Sequence, residues 1–430
     1  MFCFSFSVKN CLTKHRAGHI LEILYRDIKK GASMHESLET SSNGTAKNKV
    51  LVIAVSYVTL LMLGIYLSFF QYTVLSVTQI FALNSVMLGL LIAMQSIGMA
   101  ISPFSLGVLS GKIGKKKTVL ISYALMIGGM VLAGSSRNIV LYMVSILIVG
   151  AGYAVNEATL SAVLADEYHS KSTRHINFSQ VCFSLGAFGG PLIAQALVSK
   201  GVYFQDLYFY IAMVFLALAV LFFFTQHYND HTNTEKLKSF SVLGKLKNRV
   251  LLLLIVGIFL YVGIETTVAS FSDSYFELSL GLPELSATAL SLYWLSMVPS
   301  RFLAGVLMKN TKSIFVFLAS LMIVSIVIAM LAPNTTVKLV MFALCGFGCG
   351  PIWPLIVDRI AKKSKGYTSP MLNITFAFCG GGAALLPFIA GLLVESSTQS
   401  AAYYLCAISG VLMLAAYLLA IKTKRVAQEN

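Results

Sequence analysis

Twelve times between Val50 and Ile421 the chain runs for roughly twenty residues through little but apolar side chains. As a helix rising about 1.5 Å per residue, such a run matches the ~30 Å hydrocarbon core of a bilayer. In hydrocarbon, every backbone N–H and C=O must be satisfied internally, so an isolated apolar run of this kind crosses as a helix. The runs are apolar on all sides rather than along one stripe, which excludes an amphipathic soluble bundle. The sequence therefore predicts an all-α integral membrane protein with twelve transmembrane helices. Composition agrees: 57% of the 430 residues are hydrophobic and only 11% charged, against about 25% charged in soluble domains.

Hydrophilic stretches divide the chain. Residues 1–48 form a polar, basic tail, 49–225 carry six runs, 226–249 are the longest hydrophilic break, 250–421 carry six more, and 422–430 close the chain. Phe2–Val8 is too short for a secretory signal and precedes the basic cluster, and Met34 is read as a candidate for the translation start in place of Met1. The formal charge of +15 raises nucleic acid as a partner, but the basic residues gather in short segments between runs. That placement fits anionic lipid headgroups, so the expected partner is the lipid bilayer and not nucleic acid. With the N-terminus cytoplasmic, 28 of the 32 Lys and Arg share its side, and only Arg137, Lys200 and Lys338 face the other. The remaining one, Arg301, lies inside a run. The asymmetry predicts a cell-membrane protein with both termini in the cytoplasm.

The two sets of six repeat. Leu63-Gly64-Ile65 recurs as Val262-Gly263-Ile264 after 199 positions, and Gly107-Val-Leu as Gly305-Val-Leu after 198. Gly150-x-Gly152 recurs as Gly346-x-Gly348, and Pro191-x-Ile-Ala as Pro387-x-Ile-Ala, both after 196. Four landmarks at nearly one offset predict two parallel six-helix repeats, an arrangement that places a substrate site at their interface near the midplane.

Polarity inside the runs is uneven. The third, sixth, ninth and twelfth read as lipid-facing, whereas the others hold Tyr66, Gln71, Gln95, Asn156, Glu157, Gln180, Glu265, Arg301 and Asn373. A carboxylate in hydrocarbon costs several kcal/mol, commonly ~2.5–3.5 on insertion scales, so Glu157 and Glu265 are candidate proton-binding groups. Hydrogen bonding to neighbouring backbone, or pairing with Arg301, accounts for them equally. Arg301 can snorkel, cap carbonyls or neutralise an anionic substrate. Trp294 and Trp353 lie inside runs rather than in the interfacial belts that tryptophan favours, which suits either a substrate face or core packing. Tyr66, Gln71, Gln95, Asn156, Gln180 and Asn373 are candidate substrate contacts, or helix–helix hydrogen-bonding groups. Seven cysteines supply neither a disulfide framework nor a metal set, and no phosphate-binding Gly-x-x-x-x-Gly-Lys loop occurs. No cofactor, metal or enzymatic activity is expected.

Twelve runs, a long central break and the basic loop Gly107-Val-Leu-Ser-Gly111-Lys-Ile-Gly114-Lys115-Lys-Lys resemble the major facilitator superfamily. Gly111 stands where that superfamily carries an acidic residue. Within it, the chain is most similar to the fucose–proton symporter family. The likeness rests on Tyr261-Val-Gly-Ile-Glu265, Tyr293-Trp294 with Arg301-Phe-Leu-Ala-Gly, Gly346-x-Gly-x-Gly350-Pro351, and Asn177 with Gly186-Ala-x-x-Gly190-Pro191. The resemblance implies a secondary transporter working by alternating access. It would carry a small polar solute, a sugar, with protons, using Glu157 and Glu265 for coupling. It implies gating roles for Gly107, Gly114, Lys115 and Arg301, and a monomer. A proton-driven exporter of amphipathic compounds and a non-transporting sensor share the same fold.

Overall fold

Helix length and loop position follow from the sequence with few surprises. The computed structural model describes residues 50–167, 172–225, 243–307, 311–364 and 368–429, so the tail 1–48 and most of the 226–249 break lie outside the described residues. The first six helices are α1 (Val50–Ile80), α2 (Ser85–Ile113), α3 (Lys115–Gly134), α4 (Ile139–Glu167), α5 (Ser172–Val198) and α6 (Phe204–Phe223). After a 3-10 turn at Leu243–Lys247 follow α7 (Arg249–Ser270), α8 (Pro283–Leu307), α9 (Thr311–Leu331), α10 (Thr335–Cys349), α11 (Ile352–Lys363), α12 (Thr368–Ser396) and α13 (Ser400–Glu429). Ala54–Phe224 with Tyr228–Asn430 make up one unit. The described residues of the other are the start of α1 and Thr225.

Eleven of the crossings are long and apolar enough to span a membrane by composition alone. The twelfth is α8, whose 25 residues suffice in length but include Glu284, Pro299 and Arg301. Caps fix where the helices begin. Asn248 accepts from the Val250 and Leu251 N–H groups ahead of α7, and Asn334 accepts from Thr336 and Val337 ahead of α10. Each such cap contributes about 1 kcal/mol. Gly114 turns α2 into α3 at φ +88°, a conformation that a side chain resists. Its end of the molecule, with Lys115, is the basic end; the opposite end carries the turns at Ala82 and Gly281.

The sequence repeat has a physical cause. A Cβ on Gly64 would lie 2.0 Å from the Phe183 carbonyl oxygen, because α1 and α5 touch backbone to backbone there. Its counterpart Gly263 packs on α12 in the same way, where an added Cβ would lie 2.8 Å from the Gly382 oxygen. Gly150 lets α4 close on α2, where an added Cβ would lie 2.1 Å from the Gln95 oxygen, and Gly346 lets α10 close on α8, where it would lie 2.0 Å from the Tyr293 oxygen. At Gly152 and Gly348 an added Cβ would lie 2.8 Å from a carbonyl oxygen, on α3 and α9 respectively. Without a strong hydrophobic drive between helices in lipid, such close approach supplies much of the association. The two sets meet along α2 with α12 and α5 with α8, equivalent pairs under the repeat.

Two crossings depart from the expected form. The sequence predicts one helix over Val337–Ile360, but the backbone breaks at Gly350-Pro351 into α10 and α11. Pro351 has no N–H for the Phe347 carbonyl, and the Ser300 hydroxyl from α8 donates to it instead. The seventh run is expected to reach Asp273, yet α7 ends at Ser270 and the chain continues through Ser272–Ser274 into a π turn at Tyr275–Ser279. Lys338, assigned from sequence to a loop, is buried: its ammonium donates to the Ala329 carbonyl and the Tyr275 hydroxyl, 2.9 Å each.

Candidate functional site

Three charged side chains converge at mid-depth: Glu157 on α4, Glu265 on α7 and Arg301 on α8. Arg301 lies within electrostatic reach of both carboxylates, and the carboxylates are within reach of each other. All three are half-buried although they sit well inside their helices.

Arg301 is tied to the broken crossing. Its Nε donates to the Gly350 carbonyl at 3.0 Å, one of the oxygens that the break leaves without a helical partner. Its Nη1 donates to Ser184 Oγ on α5 at 2.7 Å, across the interface between the repeats. Ser184 spends its own proton on the Gln180 carbonyl, so its oxygen is free to accept. Of the roles open to Arg301 from sequence, carbonyl capping is the one its geometry displays.

The Tyr261 hydroxyl stands 2.9 Å from Glu265 Oε1 and 2.9 Å from the Cys349 carbonyl oxygen. It has one proton. A carbonyl can only accept, so the tyrosine proton serves Cys349, and the contact with Glu265 closes as a hydrogen bond when the carboxyl supplies a proton of its own. A protonated Glu265 therefore satisfies all three groups; an ionised one leaves two acceptors competing for one donor.

On the opposite wall, the Tyr66 hydroxyl donates to Gln95 Oε1 at 3.3 Å, and the Tyr66 ring lies beside Tyr153, one turn before Glu157. Gln180 sits against the Glu157 carboxylate. Asn156 does not join them. It turns toward α3 and donates to Ser122 Oγ at 2.9 Å, about 100° around the helix from Glu157.

Toward the Lys/Arg-poor end, successive contacts close the space. Trp294 Nε1 donates to Gln71 Oε1 at 3.2 Å, with Phe183 against the indole edge. Beyond it, Tyr72 on α1 meets Ser286 on α8. Gln79 Nε2 donates to Glu277 at 2.8 Å, and the Ser85 N–H to Glu395 at 2.9 Å. Trp353, near the start of α11, packs on Phe376 and meets Cys379 of α12. Gly107 lies on α2; the Asn373 side chain on α12 and the Asn177 side chain lie outside the described residues, and Gly114 and Lys115 sit at the basic end, away from this cluster. Among the described residues, no three His, Cys, Asp or Glu side chains are placed to hold a metal ion.

Sequence reasoning did not mark Tyr261, Ser184 or Ser300 as site residues. Tyr261 was findable, because it precedes Glu265 by four positions and so shares its helix face. Ser184 and Ser300 gave no signal: small hydroxyls in apolar runs are common, and only the fold brings these two to Arg301 and Phe347.

The model of the Major Facilitator Superfamily matches residues 53–369. The chain is 32% identical over 178 residues to the "Putative glucose/galactose transporter" of Helicobacter pylori strain J99, and equally so to that of strain 26695. That stretch covers 41% of this chain and 43% of the relative, so the match spans less than half of the relative's length. Among solved structures, a nucleoside transporter superposes with a TM-score of 0.71 at 12% identity, covering 87% of this chain and 99% of the other. A D-xylose–proton symporter gives 0.69 at 14%, covering 86% and 97%, and the E. coli fucose–proton symporter 0.59 at 19%, covering 87% and 97%. At such identities the likeness is one of fold.

Proposed function

The chain belongs to the Major Facilitator Superfamily, and on that premise we propose that it is a secondary active transporter moving a small sugar-like solute together with protons by alternating access. The observation that carries the proton half of the reading is the Tyr261 hydroxyl shared between Glu265 and the Cys349 carbonyl, an arrangement that favours a protonated carboxyl. The sugar half is supported by the names of the relatives and by the side chains around the cluster. Amides, tyrosine hydroxyls and the Trp294 indole present the mixed polar and ring surface that a hydroxyl-rich solute requires.

In this reading, Glu265 carries the proton and Arg301 senses it. While Glu265 is neutral, Arg301 stays on Gly350 and Ser184, and α8 is held to α5. Loss of the proton strengthens the pull of Glu265 on the guanidinium and weakens the Ser184 bond, the one that crosses between the repeats. Glu157 supplies a competing charge from the first set. A single chain supplies both walls of the pathway, so a monomer suffices. The boundaries 49–225 and 250–421 are taken as the two moving bundles, with 226–249 as their link and the basic end in the cytoplasm. Cysteines introduced at Lys115 and Lys245 should then label from the cytoplasmic face of the cell membrane, and one at Thr398 from the other.

Uptake of a labelled sugar panel into proteoliposomes, with and without an imposed proton gradient, tests the proposal. Concentrative uptake that vanishes when the gradient is collapsed is the expected result. Extrusion of amphipathic dyes with no sugar uptake would favour the exporter reading instead.

A further inference from the structure

Asp273 lies past the end of α7, in the short Ser272–Ser274 segment near the Lys/Arg-poor end, and only 4% of its surface is exposed. Its carboxyl meets the Ser286 hydroxyl on α8. The same hydroxyl meets Tyr72, which comes from α1 in the first set of six. Ser286 has already committed its one proton, donating to the Pro283 carbonyl at 2.8 Å. Its oxygen can still accept two hydrogen bonds. Tyr72 can supply one. The other is available from Asp273 when the carboxyl is protonated, with Ser286 still donating to Pro283; an ionised Asp273 gains a bond from Ser286 only when the hydroxyl turns away from the Pro283 carbonyl.

The charged and titratable surroundings act the same way. Glu277, in the π turn, places a second negative charge nearby. Tyr72 on α1 and Tyr403 on α13 also face the Asp273 carboxyl. Lys338 on α10 is turned to Tyr275 and the Ala329 carbonyl, and among the described residues no cation pairs with Asp273. Burial pushes the Asp273 carboxyl up to about 7 and Glu277 adds to this. The Ser286 hydroxyl opposes it when its proton turns from Pro283 to the acid.

We propose that Asp273 is a second proton-binding site, separate from the Glu157–Glu265–Arg301 cluster, and that its protonation locks the Lys/Arg-poor end of the pathway closed. The junction it belongs to joins α1 to α8 within electrostatic reach of Glu277, the partner of Gln79. Opening would expose Asp273 to water, where an ordinary aspartate ionises near pH 4. The closed form thus binds a proton that the open form releases at neutral pH. Closure is favoured as pH falls through about 7 towards about 4, by up to tenfold per pH unit, and that advantage is gone above about 7. This inference stands apart from the transport reading, because it concerns the closure itself.

Ile80 and Leu278 flank the Gln79–Glu277 contact on its two sides and are exposed, so they can carry spin labels. Electron–electron distance measurements on I80C/L278C in lipid nanodiscs, in a background without the native cysteines and without substrate, read the closure. The short-distance population should predominate at pH 5.5 and decline as pH rises through about 7. D273N, whose amide can donate to Ser286 at any pH, should keep the short distance throughout. A pH-independent wild type, or a D273N protein with an unchanged transition, overturns the proposal. If D273N fails to reach the membrane, D273E decides instead. It should shift the midpoint, and a midpoint left in place also overturns the proposal. The readout needs no transport, so its failure is distinct from failure of the uptake experiment.

Discussion

Gln79 and Glu277 are 198 residues apart in sequence and 2.8 Å apart in space. That separation is the offset of the sequence repeat, so equivalent positions of the two sets of six meet each other. A two-fold relation about an axis along the membrane normal brings equivalent residues together where they approach that axis. The contact therefore marks the seam on which the two sets must part if the Lys/Arg-poor end opens.

A disulfide across this seam should trap it. In the double variant Q79C/E277C, oxidation is expected to cross-link the two sets and stop solute exchange, and reduction should restore it. Replacing only one residue should leave exchange within about fivefold of wild type, since a partly exposed hydrogen bond contributes only about 1 kcal/mol. The measurement is exchange in proteoliposomes before and after reductant, with gel mobility of protease-nicked protein as the check on cross-linking.

Arg301 makes two directional bonds that a lysine cannot reproduce together, to Gly350 and to Ser184. R301K is expected to lower exchange by roughly ten- to a hundredfold, matching the loss of one charge-assisted hydrogen bond of about 1.5–3 kcal/mol. S184A removes one acceptor and should cost about tenfold or less. Equal activity in R301K and wild type would show that the guanidinium geometry is dispensable.

Much of this fold is written in the sequence because lipid permits little else. Twelve apolar runs and four glycine or proline landmarks at a near-constant offset suffice for two six-helix repeats. The tenth crossing is the instructive exception. Gly350-Pro351 is visible in the sequence, but whether the backbone breaks there depends on Ser300, Tyr261 and Arg301 arriving to satisfy the freed carbonyls. The site was legible to the level of its charges. Glu157 and Glu265 stand out by cost alone, whereas the adjacent Asn156 faces α3, and no local pattern separates the two. Asp273, at the very end of the seventh run, and Glu277 and Glu395, just outside runs, gave no signal because their partners lie on helices distant in sequence.

Glycine packing gives a stability test with internal controls. A methyl group on Gly382 would sit 1.9 Å from the Phe259 carbonyl oxygen, and on Gly186 1.9 Å from that of Leu61. The neighbouring Gly381 and Gly189 leave 3.4 Å and 3.8 Å to side-chain atoms. G382A and G186A should each lose about 1–3 kcal/mol through forced helix separation. G381A and G189A should be neutral or slightly stabilising, since alanine favours the helix by up to about 1 kcal/mol. Thermal unfolding in detergent ranks the four; equal midpoints would mean that the helices part without penalty.

The proton role of Glu265 can be separated from its structural role by one substitution. At position 265 a glutamine keeps the length of the side chain and has an amide N–H to give. It can donate to the Tyr261 hydroxyl as a protonated carboxyl would, leaving the tyrosine proton on the Cys349 carbonyl. E265Q should therefore fold with near wild-type stability and still exchange solute between two equally loaded sides. It should not accumulate solute when driven by pH, because nothing at that position binds and releases a proton. Y261F breaks the chain at its centre and strands the Cys349 carbonyl, so it should cost about 1–3 kcal/mol of stability and impair exchange as well. The same substitution at Glu157, E157Q, assigns coupling to one carboxylate or to both. Full pH-driven accumulation by E265Q would make Glu265 a structural acid and move the proton elsewhere.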